Sequence, residues 1–133
     1  MTAFIRELVR HRARDRCEYC RVPQSAIPDI TFHIEHIIAV QHGGKDDSGN
    51  LALACDQCNR FKGTNLSSMD PMTNLVVRLF DPRRNVWHDH FGQVNYELVG
   101  ASDIGRATVR LLNMNAPRRV QLRVALKLNL TID

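Results

Sequence analysis

Nowhere in its 133 residues does this chain carry an apolar run long enough to cross a bilayer, so no membrane-spanning helix is expected. The first residues, Met1 to Glu7, lack the apolar stretch and small-residue cleavage site of a secretory leader. A soluble, cytoplasmic protein is the expectation. Internal repeats, low-complexity tracts and flexible linkers are missing too, which argues for one domain over 1–133. At 44% hydrophobic residues that domain can bury only a modest core once an irregular, loop-rich segment is set aside. A structural metal would supply part of the missing stability.

What the chain does have is cysteine in a telling pattern. Its four cysteines stand as two CxxC pairs, Cys17/Cys20 and Cys55/Cys58. In a reducing compartment such pairs bind metal more often than they form disulfides, because each tight turn offers two thiolates to one tetrahedral ion. Disulfides and an iron–sulfur cluster are the alternatives for the same residues. Zinc is the working assignment.

Charge is weighed by position, since a net charge of +4 and a pI near 9.2 are moderate. Arg6, Arg10, Arg12, Arg14 and Arg16 crowd the N-terminal segment, and further basic clusters lie at Arg60/Lys62, Arg83/Arg84 and Arg118/Arg119. Any one of them could be a solvated helix face. Together they suit the phosphate backbone of DNA, with RNA not distinguished from it.

Phe4, Ile5, Leu8 and Val9 mark the apolar face of a helix ending near Arg14. The run 31–40 is rich in β-branched and aromatic residues and predicts a strand, Gln41 to Gly49 a turn, and Leu51 to Ala54 a short returning strand. Cys55 to Lys62 reads as a knuckle turning into a helix that Gly63 stops. Further on, 75–80 and 94–99 predict strands, while 104–114 and 117–128 predict helices, the last opened by Pro117.

The segment Cys17-x-x-Cys20, Ile34-Glu35-His36-Ile37-Ile38, Gly43-Gly44, Asn50-Leu51, Cys55-x-x-Cys58-Asn59-Arg60-x-Lys62-Gly63 resembles the zinc-containing branch of the HNH endonucleases, whose active site is the ββα-metal motif. The resemblance implies an α+β fold: a ββα-metal core over about 15–65 with a four-cysteine structural zinc site, an N-terminal helix, and a C-terminal strand and helix extension over about 66–133. It also implies a divalent-metal-dependent phosphodiester hydrolase acting on DNA. Many family members carry Asp where this chain has Glu35, and His where it has Asn59.

The chemistry asks for these residue types on its own terms. Hydrolysis of a phosphodiester needs a positioned water, a base for its proton, and positive charge near the phosphorane. His36 suits the base, because an imidazole with a pKa near ~6.5 accepts a proton at neutral pH. Glu35 and Asn59 offer oxygen ligands to one Mg²⁺ or Mn²⁺. By the family's pattern, Asn50 holds the intervening loop and helps to orient His36. Arg12, Arg14, Arg60 and Lys62 are the expected nucleic-acid contacts.

Neighbouring residues of a regular strand point to opposite faces, so Glu35 and His36 can converge only at a bulge or a strand end. In a regular strand His33 and Glu35 share a face, and His33 competes as ligand or base. His88 and His90 could bind metal from one face of a strand but have no third ligand at usable spacing; the plainer reading has Trp87 and Phe91 packing around them. The whole segment also admits a non-catalytic zinc-dependent DNA-binding module. Oligomeric state, sequence preference and pathway are not declared by any residue.

Overall fold

The computed structural model describes residues 1–132. Thr2 starts the first helix, α1 (Ala3–Arg12), by accepting the Ile5 N–H at 3.2 Å. Cations in its last turn, Arg10, His11 and Arg12, suit the carbonyl end of a helix. The helix ends at Arg12 and not near Arg14, because Arg14 and Asp15 take left-handed backbone, with φ of 54° and 53°, which no α-helix continues.

After the first cysteine pair, β1 (His33–His36) and β2 (Leu51–Ala54) pair antiparallel, His33 opposite Ala54 and His36 opposite Leu51, and α2 (Asp56–Lys62) follows. The fold is α+β, as the sequence indicated. β1 is shorter than the run 31–40 suggested, and Asn50 supplies the reason. Its side-chain oxygen accepts the Ile38 N–H at 2.9 Å, and its amide donates to the carbonyls of Ile38 at 2.9 Å and Lys45 at 3.0 Å. Backbone groups that would lengthen the ladder are thus held by a side chain. Gly44 permits the closure, since a Cβ there would lie 1.7 Å from the Ile38 carbonyl oxygen.

β2 is covered on both faces, with Leu51, Ala52, Leu53 and Ala54 all at 0% exposure, and both α1 and α2 pack against it. Leu51 and Leu53 each contribute about 1.5–3 kcal/mol by burial. One hydrophobic cluster continues from Val9, Tyr19 and Phe32 through Phe80, Trp87 and Phe91 to Leu112, Met114 and Leu130, so the C-terminal half packs onto the ββα core.

That half holds two more hairpins among the described residues: β3 (Ser67–Met69) with β4 (Val76–Arg78), then α3 (Trp87–His90), β5 (Phe91–Val94) and β6 (Glu97–Gly100). The expected strand 94–99 is corrected to the end of β5, a two-residue turn and the start of β6. Asn95 and Tyr96 both have positive φ, 49° and 70°, the turn that matches the twist of a tight hairpin. The expected strand 75–80 is confined to β4, and neither β3 nor β5 was anticipated. α4 (Asp103–Leu111) and α5 (Pro117–Leu126) complete the chain, with Pro117 in the first turn of α5. Gly105 lets α4 approach, because a Cβ there would lie 1.9 Å from the His90 carbonyl oxygen.

Candidate active site and zinc centre

The knuckle after α1 and the start of α2 bring four thiols together. Cys17, Cys20, Cys55 and Cys58 are buried, free of disulfides, and their sulfurs all lie within 4.8 Å of one another. Cys20 Sγ and Cys55 Sγ are 3.8 Å apart, close to the ~3.8 Å edge of a tetrahedron with Zn–S bonds of about 2.3 Å. Backbone N–H groups of Cys20 and Cys58 point at Cys17 Sγ and Cys55 Sγ at 3.5 Å each, so Cys55 also caps α2. The donor set fits a structural zinc ion. Among the described residues it is the only convergence of three or more His, Cys, Asp or Glu side chains.

A fifth side chain reaches this cluster. Arg119, on α5 and 7% exposed, donates from Nη2 to Cys58 Sγ at 3.0 Å and to Cys55 Sγ at 3.8 Å. Burial works against its charge, but the thiolates of Cys20, Cys58 and Cys55 more than offset this and raise its pKa. Of the Arg118/Arg119 pair, Arg119 therefore serves the cysteines, while Arg118 is exposed.

His36 ends β1 with its Nε2 2.6 Å from Asp46 Oδ1, in the loop that Asn50 holds. The hydrogen bond from His36 holds the Asp46 carboxyl below its ordinary value, so Asp46 accepts and His36 donates. Asp46 was not singled out from the sequence. The signal available was Asn50, which folds the segment 37–50 back on itself and returns its acids to the end of β1.

Glu35 does not join His36. β1 and β2 pair one to one with no bulge, so Glu35 points to the opposite face and is 6% exposed. Its carboxylate accepts from the Tyr19 hydroxyl and from Lys62 Nζ at 3.2 Å. Lys62, 2% exposed, also donates to the carbonyls of His36 at 3.3 Å and Ile37 at 3.0 Å. Burial raises the Glu35 pKa, and the Lys62 charge and Tyr19 hydroxyl oppose that shift. In this arrangement both Glu35 oxygens are engaged within the protein, and Lys62 is buried, where the sequence suggested a cation ligand and a nucleic-acid contact.

Along α2, Asp56, Asn59 and Lys62 recur every third residue and form one stripe. Its first member meets His33, with Nε2 to Oδ1 at 3.1 Å, and its last meets Glu35. Asn59 lies between them on the stripe, beside the face that His33 and Glu35 share. The regular strand thus brings His33 to α2, as the sequence-based alternative allowed. Arg14 and Arg60 are exposed, and the Arg60 guanidinium lies over the Phe61 ring at 5.1 Å. Arg12 is exposed but donates to the Leu51 carbonyl at 2.8 Å. His88 and His90 sit on α3 and not on a strand. His90 pairs with Ser102 Oγ at 2.7 Å, and Trp87 stacks on Phe91 at 5.1 Å between centroids.

A hairpin and helix clamped by four cysteines define the class, a zinc-knuckled ββα module. Residues 17–65 match the family model described as HNH endonuclease. This segment is an HNH domain, and its four-cysteine cluster fits the zinc-containing branch of the family. HNH domains are nucleases or DNA-binding modules. No curated protein and no solved structure matches the chain.

Proposed function

We propose that this chain is a DNA endonuclease in which His36 is the general base. The observation that carries the reading is the His36–Asp46 contact of 2.6 Å at the end of β1, within the segment that matches the HNH model. With Nε2 donating to Asp46, the lone pair of Nδ1 is left to take a proton from the attacking water. Asp46 stabilises the imidazolium that results. A positioned base of this kind contributes roughly 10²–10⁴-fold to the rate. Asn50 holds the loop that carries Asp46, and Arg14 and Arg60 offer exposed positive charge for the DNA backbone.

Mg²⁺ or Mn²⁺ is the cation that the family resemblance implies. When bound, such an ion polarises the phosphate. The residues here do not fit it at Glu35, whose carboxylate is committed to Lys62 and Tyr19; Asn59 keeps a proposed place beside the reaction. That commitment is the specific observation favouring a second reading, a zinc-dependent module that binds DNA without cutting it.

Plasmid DNA incubated with wild type and His36→Ala in Mg²⁺, in Mn²⁺ and in chelator separates the two. Cleavage by wild type that His36→Ala loses supports the nuclease. A gel shift without cleavage in any metal supports the binding module.

A further inference from the structure

From Gln57 to Phe80 the chain shows solvent no carboxylate. Asp70, the one acid in that stretch, is fully buried, while Arg60 and Arg78 are exposed. The stretch contains the β3–β4 hairpin, which turns an apolar surface outward. Met72, Leu75 and Val76 are 65–74% exposed, with Met69 and Pro71 exposed beside them. Side chains alternate along each strand, and Met69 pairs with Val76. Met69, Val76 and Arg78 therefore share the outer face, while Ser68 and Val77 turn toward α4. Exposed apolar side chains gathered on one projection, unlike single ones scattered over a surface, mark a place of contact.

The tip is built to keep its shape. Asp70 accepts two bonds from Arg106 on α4, and the same two oxygens take the Met72 N–H at 3.0 Å and the Thr73 hydroxyl at 3.1 Å. Two backbone bonds close the turn, Asp70 N–H to the Leu75 carbonyl at 2.9 Å and Asn74 N–H to the Asp70 carbonyl at 2.8 Å. A tip held this way has little freedom left to lose on binding. The base of the hairpin meets the candidate active site, where Leu66 and Arg78 line a small hollow with Ile37 and Ile38, the residues that follow His36. Asp81, also at that hollow, accepts the Arg83 N–H at 2.8 Å and lies 3.8 Å from Arg84. Arg78 has no ion pair or hydrogen bond among the described residues.

We infer that the β3–β4 hairpin is a wedge that enters the minor groove of duplex DNA beside the scissile phosphate and opens a base step with Met72 and Leu75. The inference rests on the DNA reading above and narrows it to a duplex that can be kinked. A polyanion is repelled by every exposed carboxylate, and this surface has none; Arg60 and Arg78 flank it with charge suited to phosphates. Apolar side chains cannot read base edges through hydrogen bonds. On DNA their use is to slip between base pairs, as Met, Leu and Pro do where a duplex is kinked by roughly 20–90°. The sites so favoured carry a flexible pyrimidine–purine step next to the bond that is cut.

Resonance energy transfer across a duplex of about 30 base pairs, labelled at its two ends, tests it. Mg²⁺ and Mn²⁺ are left out, and a denaturing gel checks that the DNA is uncut. The proteins are wild type, Met72→Ser/Leu75→Ser, Arg78→Gln, and Val94→Ser, which removes an exposed apolar side chain from the β5–β6 hairpin. Circular dichroism and zinc content confirm folding. Wild type should raise the transfer as it binds. The double variant should bind with affinity changed by less than about tenfold, since lost contacts and the avoided cost of bending oppose each other, and leave the transfer at its free-duplex value. Arg78→Gln should keep the bend and flatten the salt dependence by about 0.9, the share of one phosphate. Val94→Ser should match wild type. Wild-type binding without added transfer, or full transfer with the double variant, would overturn the inference. So would light scattering that shows a wild-type dimer split by the double variant, because the patch would then be a contact between copies. Absence of binding to any DNA would sink the underlying reading as well, whereas binding without bending sinks the wedge alone.

Discussion

Arg119 donates to Cys58 across 3.0 Å, so the C-terminal helix carries a counter-charge for the cysteine cluster that the HNH segment builds. Four thiolates around Zn²⁺ leave a net charge of about −2 in a buried site. Arg119 supplies a cation there, held in place by the carbonyls of Leu112 at 2.7 Å and Asn113 at 3.1 Å.

Arg119→Met keeps most of the side-chain volume and removes that charge. Zinc affinity should fall about 10–100-fold, the usual effect of losing a partner of a metal ligand. Competition with a chromogenic zinc chelator reads it directly. Affinity equal to wild type would show that the cluster holds zinc without help from α5.

A buried ion pair lies at the other end of α2. Glu35 and Lys62 have side chains 5% and 3% exposed. Removing Lys62 alone strands a carboxylate that burial already disfavours, so Lys62→Met should destabilise the fold by about 3–5 kcal/mol. The double variant Glu35→Gln/Lys62→Met should recover much of the loss. Urea unfolding of both proteins checks this, and a Lys62→Met protein as stable as wild type would mean that the pair does not form.

The order strand, loop, strand, helix was legible because its signals are local: β-branched runs, a Gly/Asp/Ser turn, a cysteine cap. Leu51 to Ala54 were read to the residue. The site was less legible because it depends on which way each side chain points. Glu35 and His36 are adjacent in sequence, and only the one-to-one register with β2 sends them to opposite faces. Arg119 looked like a surface cation because nothing in its neighbourhood announces that α5 docks on Cys58. β3 escaped notice because Ser67-Ser68-Met69 has neither the apolar alternation nor the β-branched residues of a typical strand. β5 was hidden because its run meets β6 through Asn95-Tyr96, a turn without glycine.

Acid should loosen the β3–β4 hairpin from α4. Asp70, fully buried, accepts two bonds from Arg106, at 2.9 and 2.8 Å, and these hold its pKa well below the usual carboxylate range. A carboxylate with a lowered folded-state pKa stabilises the fold above its unfolded value, about 3.9, and that contribution is lost as pH falls through the folded value. Asp70→Asn should therefore have a lower Tm than wild type at neutral pH, with a gap that is constant down to roughly pH 4 and narrows below it. A gap independent of pH from about 7 to about 2 would remove the ion pair as its cause.

The His36–Asp46 pair makes the sharpest demand on the proposed chemistry. Neither residue belongs to the hydrophobic cluster, and Asp46 is exposed, so both can be replaced with the fold intact. His36→Ala should reduce metal-supported cleavage by roughly 10²–10⁴-fold, the contribution of a general base, with zinc content unchanged. Asp46→Asn keeps the imidazole but offers an amide in place of the carboxylate that steadies its charged form. Its kcat should fall less than that of His36→Ala, and KM for DNA should stay near the wild-type value, because Asp46 acts on His36 and not on the substrate. The split between kcat and KM distinguishes positioning from simple structural damage, which would weaken both. An Asp46→Asn enzyme with a wild-type rate would leave Asp46 a surface loop residue. Undiminished cleavage by His36→Ala would pass the role of base to His33, on the face that α2 covers.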